Sequence, residues 1–225
     1  MKKLLLLSLV ALFGAALVRA EPTRADLVIR VETCEAILQG FQRRPETAIH
    51  AEALRRARAI IILSQFKAGF LLGVKDGFGI IMVKKPTGGW SLPVIISASE
   101  TSLGFQLGAK ADESIFIITD DETPKMLFRS RFNIGVDAKA VAGPRAAEKE
   151  RYNMEILHTP MLAYTKSRGL FAGATVKAGN ISRNDPANFL LYNTTHALPE
   201  LLYSDWVQAP PEVKPLMELM QRLSP

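Results

Sequence analysis

Two hydrophobic rhythms divide the chain. Between residues 24 and 41, the apolar positions Leu27, Val31, Cys34, Leu38 and Phe41 recur every three or four residues, which predicts an amphipathic helix. Arg43, Arg44 and Pro45 break it, and a second helix is expected from Pro45 to about Arg58, with proline in its first turn and Glu46 near its positive end. From Ala59 the period changes. Ala59-Ile-Ile-Ile-Leu63 is a continuous, β-branched apolar run of the length of a buried strand. Further strands are expected at about 68–74, 77–84, 90–98, 102–110, 114–119, 133–142, 160–166 and 169–178. Val74–Gly77 and Lys85–Gly89 read as the turns of antiparallel hairpins. Strand 114–119 is apolar on both faces and should be central.

The strand region is rich in glycine: Gly69, Gly73, Gly77, Gly79, Gly88, Gly89, Gly104 and Gly108. Glycine weakens a strand, so this density implies bends, bulges or close approach of backbones. Leu103, Phe105, Leu107 and Ala109 should point one way, and Gly104, Gln106, Gly108 and Lys110 the other. Towards the C-terminus, Asp120–Pro124 should start a short helix that ends near Arg129, with its acids serving as helix-start residues. Residues 143–158 form a charged surface excursion, and Asp185–Tyr192 a short helix. In the proline-rich tail, Val213, Leu216, Met217, Met220 and Leu223 make one apolar stripe at helical spacing, suited to docking on the domain's own core. The predicted class is α+β: a strongly bent, mainly antiparallel sheet, or a barrel or sandwich, with helices packed on one face and at the ends.

Residues 1–20 stand apart. Lys2 and Lys3 precede an apolar run from Leu4 to Val18, and Val18-Arg19-Ala20 resembles a cleavage site. The segment reads as a secretory signal peptide, and export with cleavage after Ala20 is expected, to the periplasm or the medium. Residues 21–225 then form a single domain. Removing Lys2, Lys3 and Arg19 leaves 25 basic residues against 22 acidic ones, so the headline charge of +6 falls to +3. That bias is too mild for bulk nucleic-acid binding. The single cysteine, Cys34, excludes an internal disulfide and reads as a small buried hydrophobe.

No catalytic constellation stands out. His50, His158 and His196 lack metal-ligand spacing, Gly77-Phe-Gly79 lacks the rest of a dinucleotide fingerprint, and Lys166 and Ser167 point to opposite faces of a strand. No catalytic residue, metal or cofactor is assigned. A hydrolase would need a polar pocket that the sequence does not announce.

Several separated motifs carry a resemblance: Lys67-Ala-Gly-Phe70, Gly88-Gly-Trp90, Gly104-Phe-Gln-Leu-Gly-Ala109 and Lys166-Ser-Arg-Gly-Leu-Phe-Ala-Gly173. Over about residues 45–203 the chain resembles the SYLF domain family, also called the actin-binding domain of certain yeast actin-patch proteins, whose members include exported bacterial proteins. The resemblance implies a non-catalytic module for phosphoinositide or other acidic lipid, with actin binding a property of fungal members. Glu100 departs from a family pattern that is small and apolar there. It is free to be solvated at a strand edge or to pair with a lysine such as Lys67 or Lys110.

The candidate lipid contacts are Lys67, Lys84, Lys85, Lys166, Arg168 and Phe171, with Arg55, Arg56 and Arg58 as a second basic cluster beside Arg43 and Arg44. Lysine and arginine meet head-group phosphates through charge-assisted hydrogen bonds. Phe171 would insert beside Lys166 and Arg168. The expected partner is an acidic lipid or membrane surface. The alternative is a cell-envelope protein that packs its glycine-rich faces against a protein partner.

Overall fold

The structure, a computed structural model, describes residues 21–70, 72–103, 108–126, 131–134, 140–146, 158–169 and 179–225. Helix α1 spans Arg24–Gln42. Thr23 and Asp26 close a reciprocal capping box at its start, with the Thr23 amide donating to Asp26 Oδ2 at 2.8 Å. The predicted apolar stripe is its buried face, joined by Ile37. The second helix is far shorter than predicted. It is α2, Ala51–Arg55, and Pro45 lies in the turn before it. The backbone there is drawn into strand-like pairing: Ile49 bridges Arg145, and the His50 amide donates to Pro144 O. His50 then caps α2 through its ring nitrogen.

The strands are β1 (Ala59–Phe70), β2 (Leu72–Val83), β3 (Val94–Leu103), β4 (Gly108–Ile118), β5 (Arg131–Asn133), β6 (Ala140–Ala142), β7 (Met161–Gly169) and β8 (Asn180–Arg183). They form one sheet in the order β5-β8-β3-β2-β1-β4-β7-β6, in which β6 runs parallel to β7 and the other pairings are antiparallel. The sheet is a strongly curled half-barrel. Connectivity alone demands this curl. β5 and β6 are the two edges, yet Asn133 and Ala140 are only seven residues apart. Seven residues reach at most ~25 Å. A flat sheet would separate its two edge strands by roughly 34 Å. The single strand expected over 133–142 is thus two short strands on opposite edges.

The turn expected at Val74–Gly77 is absent. Those residues lie inside β2, where Lys75 stands opposite Lys67 and Gly77 opposite Gln65, and the pairing of β1 with β2 runs on to Phe70 and Leu72. Gly77 and Gly79 act through their missing side chains. A Cβ on Gly77 would fall 2.8 Å from Gln65 Cα, and one on Gly79 would strike Ile62 O and Leu63 Cδ2. The Lys85–Gly89 turn is present, with positive φ at Gly88 and Gly89. The alternation expected across 104–107 lies outside the described residues.

Ala59–Leu63 in β1 and Ile115–Ile118 in β4 are buried on both faces, as their continuous apolar runs require. Helix α1 lies on the face carrying Ile60 and Ile62, and the Cys34 thiol reaches Ile62 O. Among the described residues the remaining α-helices are α3 (Thr123–Met126), α4 (Asp185–Tyr192), α5 (Leu198–Tyr203) and α6 (Lys214–Leu223). Asp120 accepts from the Glu122 and Thr123 amides, the helix-start role expected of it. The tail stripe docks inward: Val213, Leu216 and Met220 are fully buried, and Trp90 Nε1 donates to Ser224 O.

Candidate anionic-surface interface

The strand register brings four loops to one end of the sheet. Ala59 stands opposite both Val83 and Ile118, and Ile118 opposite Met161. Backbone bonds continue the ladder just past these ends. The Arg58 amide donates to Ile118 O and the Lys84 amide to Arg58 O, both at 2.7 Å, and the Thr119 amide donates to Pro160 O at 3.0 Å. Arg58, Lys84, Thr119 and Pro160 are thereby held side by side. Their side chains, with Arg55, Arg56 and His158, surround a concavity of about 410 Å³.

The predicted second cluster therefore converges with Lys84, a union the sequence did not anticipate. Acids moderate its charge. Glu52 receives Arg55, and Arg56 Nε at 3.1 Å, while Asp121 stands 4.0 Å from Arg58. Lys84 Nζ donates to Pro225 O. Even so, the side chains of Arg55 and Arg58 are 69% and 55% exposed.

The other candidates separate. Lys85 is mostly buried, joins Asp205 and donates to Ser204 O, so its charge fastens the segment after α5. Lys166 is directed at α1. Its ammonium donates to Gly40 O at 2.6 Å and sits 4.3 Å from the Phe41 ring centroid. No basic residue occupies the last turn of α1, and Lys166 supplies from β7 the cation that a helix C-terminus favours. The backbone of Lys67 lies opposite Lys75 and Lys110, and that of Lys75 opposite Glu100. The backbone register thus sets Glu100 opposite Lys75, and the side-chain pairing expected of Glu100 lies outside the description. Lys67 is nine residues along β1 from Arg58, roughly 30 Å away. The backbone of Arg168 lies opposite Ala111, its side chain is outside the description, and Phe171 lies outside the described residues.

Exposed aromatic residues, which the sequence reading passed over, lie at and just after the end of α5. Trp206 is 71% exposed and tilts against the His196 ring at 5.2 Å. It follows directly on Asp205, the partner of Lys85. Tyr203, 38% exposed, titrates above the usual tyrosine range, chiefly through burial and then through the charges of Asp121 and Glu122. No local pattern marks Trp206 as exposed, because exposure follows from how α5 docks.

Among the described residues, no group of His, Cys, Asp and Glu could hold a metal ion, and no helix is long and apolar enough to cross a membrane.

Residues 99–223, more than half of the chain, match the family described as "Ysc84: Las17-binding protein actin regulator". The chain belongs to the Ysc84/SYLF domain family. It is 29% identical over 171 residues to "Protein YSC84" of Saccharomyces cerevisiae, covering 75% of this chain and 36% of that protein. It is 28% identical over 179 residues to "LAS seventeen-binding protein 3" of the same yeast, covering 78% and 39%. With "SH3 domain-containing YSC84-like protein 1" of Homo sapiens it shares 26% identity over 177 residues, covering 78% and 52%. The chain thus spans between a third and about half of the length of these relatives. Their names point to protein partners. No solved structure matches the chain. The family match runs through α6 to residue 223, beyond the expected core of 45–203, in keeping with the buried stripe of the tail.

Proposed function

We propose that this SYLF domain is a non-catalytic module that attaches to an anionic lipid surface by the basic end of its sheet. One observation carries the reading: Arg55, Arg56 and Arg58, from the end of α2 and the loop after it, converge with Lys84, from just past the end of β2, around one concavity. Each basic residue near an anionic leaflet contributes roughly 1 kcal/mol. Glu52 and Asp121, which pair with these arginines, and Asp120, which lines the concavity, reduce that sum, so the attraction is modest and salt-sensitive. Trp206, exposed and next in sequence to Asp205, the partner of Lys85, offers an amphipathic ring of the kind that settles at head-group level. The preferred lipid is acidic, a phosphoinositide where one is present. Export after cleavage at Ala20 belongs to the same reading, and N-terminal sequencing of the secreted product should begin at Glu21.

Co-sedimentation of the full chain with phosphatidylcholine vesicles, with and without phosphatidylserine, tests the attachment. Binding is expected only to the anionic vesicles, and it should be released as salt shortens the Debye length from ~10 Å at 0.1 M to ~3 Å at 1 M. Absence of binding at low salt would reject the proposal. The names of the relatives, "Las17-binding" and "SH3 domain-containing", support a second reading in which this end meets an acidic protein surface. That reading predicts no retention on protein-free vesicles.

A further inference from the structure

A second concavity, of about 790 Å³, opens on the sheet face that carries α1, well away from the basic end. Its floor follows from the register. Ser64 stands opposite Phe78, and Phe78 opposite Ser97; one step along, Phe66 stands opposite Ala111. Lower on this face, Ile60 and Ile62 are covered and buried, whereas Phe66 is 55% exposed. One wall is the start of α1 with Arg30, and the other is α4 with Pro186 and Leu190, the last 45% exposed. The Arg30 guanidinium stands 5.3 Å above the Phe78 ring, which fixes a cation over the apolar floor.

We infer that this groove takes up the hydrocarbon chain of an anionic amphiphile, with the head group at Arg30. Phe66, Phe78 and Leu190 supply an apolar trough within the size range of small-molecule sites. Covering Phe66 and Leu190 removes apolar surface from water. The charge pattern selects the sign of the head. Arg30 lies over the floor and also attracts Asp26, one helical turn nearer the chain start, while Glu21 lines the groove, so a carboxylate or phosphate is favoured only where it meets the guanidinium. The inference goes beyond surface attachment, because it uses no residue of the basic end and needs no bilayer.

The test is titration of the full chain, free of vesicles, with the fluorescent fatty acid cis-parinarate, with palmitate as competitor and sedimentation velocity in parallel. Saturable one-to-one uptake displaced by palmitate is expected. Leu190→Gln and Phe66→Ser, both at exposed positions that folding does not require, should each weaken it by about tenfold. Arg30→Gln should weaken the fatty acid but not a neutral long-chain alcohol. Arg55→Glu with Arg58→Glu should leave uptake intact while weakening vesicle binding by more than about tenfold, so loss of either property alone separates this site from the basic end. No saturable uptake by the unaltered protein would overturn the inference. So would uptake indifferent to all three groove substitutions, or a dimer that Leu190→Gln dissociates without any fatty acid being bound.

Discussion

The side chain of Asn188 on α4 acts as a missing strand for Ile95. The Ile95 amide donates to Asn188 Oδ1 at 2.7 Å, and Asn188 Nδ2 donates back to Ile95 O at 2.9 Å. β8 pairs with β3 only from Ile96 onwards, so the carboxamide continues the ladder where the strand stops. Asn188 is fully buried. Asn188→Leu would strand both backbone groups, each at ~1–3 kcal/mol. A loss of roughly 3 kcal/mol is expected, which for a domain of this size lowers the melting temperature by about 6–12 °C. Asn188→Asp, measured at low pH where its carboxyl is protonated, can still accept from the Ile95 amide and donate to Ile95 O, and should then cost less than the leucine. Equal melting temperatures for the two variants would refute the strand-mimic role.

Two glycines of the same hairpin pair should fail for different reasons. Gly79→Ala drives a methyl into the β1 backbone at Ile62 O. Overpacking of this kind costs ~1–3 kcal/mol. Gly88→Ala meets nothing within 4 Å, but its φ of +87° disfavours any L side chain. That strain is worth about 1–2 kcal/mol. Gly88→Asn should therefore recover much of the loss at the turn, because asparagine tolerates positive φ, whereas no polar replacement should rescue Gly79. Chemical denaturation of the four variants checks the contrast.

These glycines also mark how far the sequence could be read. Its apolar rhythm foretold α1, the two-face burial of β1 and β4, the Lys85–Gly89 turn and the inward stripe of the tail. Gly77 misled because glycine serves two needs, positive φ and absent bulk, and only the three-dimensional approach of Gln65 reveals which one applies. The 133–142 strand misled because a period of two does not say which edge of a sheet each half joins. For the site, charge clusters were legible but partners were not. Lys85 and Lys166 look like Lys84 in the sequence, and only packing commits them to Asp205 and to the end of α1.

Lys166→Met tests that commitment. Methionine keeps the apolar stem but loses the bond to Gly40 O and the contact with the Phe41 ring. A charged hydrogen bond of this kind is worth ~1.5–3 kcal/mol. A destabilised protein that still binds anionic vesicles is expected. Weakened vesicle binding with an unchanged melting temperature would instead return Lys166 to the lipid-contact surface.

Cys34 should be chemically silent in the native state. Burial pushes its thiol from 9.0 up to about 12, so the reactive thiolate is suppressed. A thiol-specific disulfide reagent at pH 8 should label it only after denaturation. The sign of the linkage follows: the folded state holds the proton more tightly, so the stabilisation is complete below the unfolded value of 9.0 and is lost as pH rises towards about 12. Cys34→Ala should flatten that alkaline decline while lowering stability at neutral pH through the lost packing. Rapid labelling of the native protein at pH 8 would contradict the burial.

The basic end makes separable predictions for charge and for insertion. Arg55 and Arg58 are exposed, so Arg55→Glu with Arg58→Glu should leave the melting temperature within about 1 kcal/mol of the unaltered protein. Reversing two charges changes the local balance by four, and Glu52 and Asp121 would then face like charges instead of partners. Binding to anionic vesicles at low salt should fall by more than about tenfold, since each contact contributes roughly 1 kcal/mol. Trp206→Ala should behave differently. Its ring is neutral, so its loss should weaken binding by a factor independent of salt, and the Trp206 emission of the unaltered protein should shift to the blue on vesicles. If the protein binds a partner surface and not a membrane, the arginine variant still loses binding to that partner, but no vesicle produces the emission shift. An unshifted Trp206 on vesicles that nevertheless retain the protein would leave the charges in place and remove the ring from the contact.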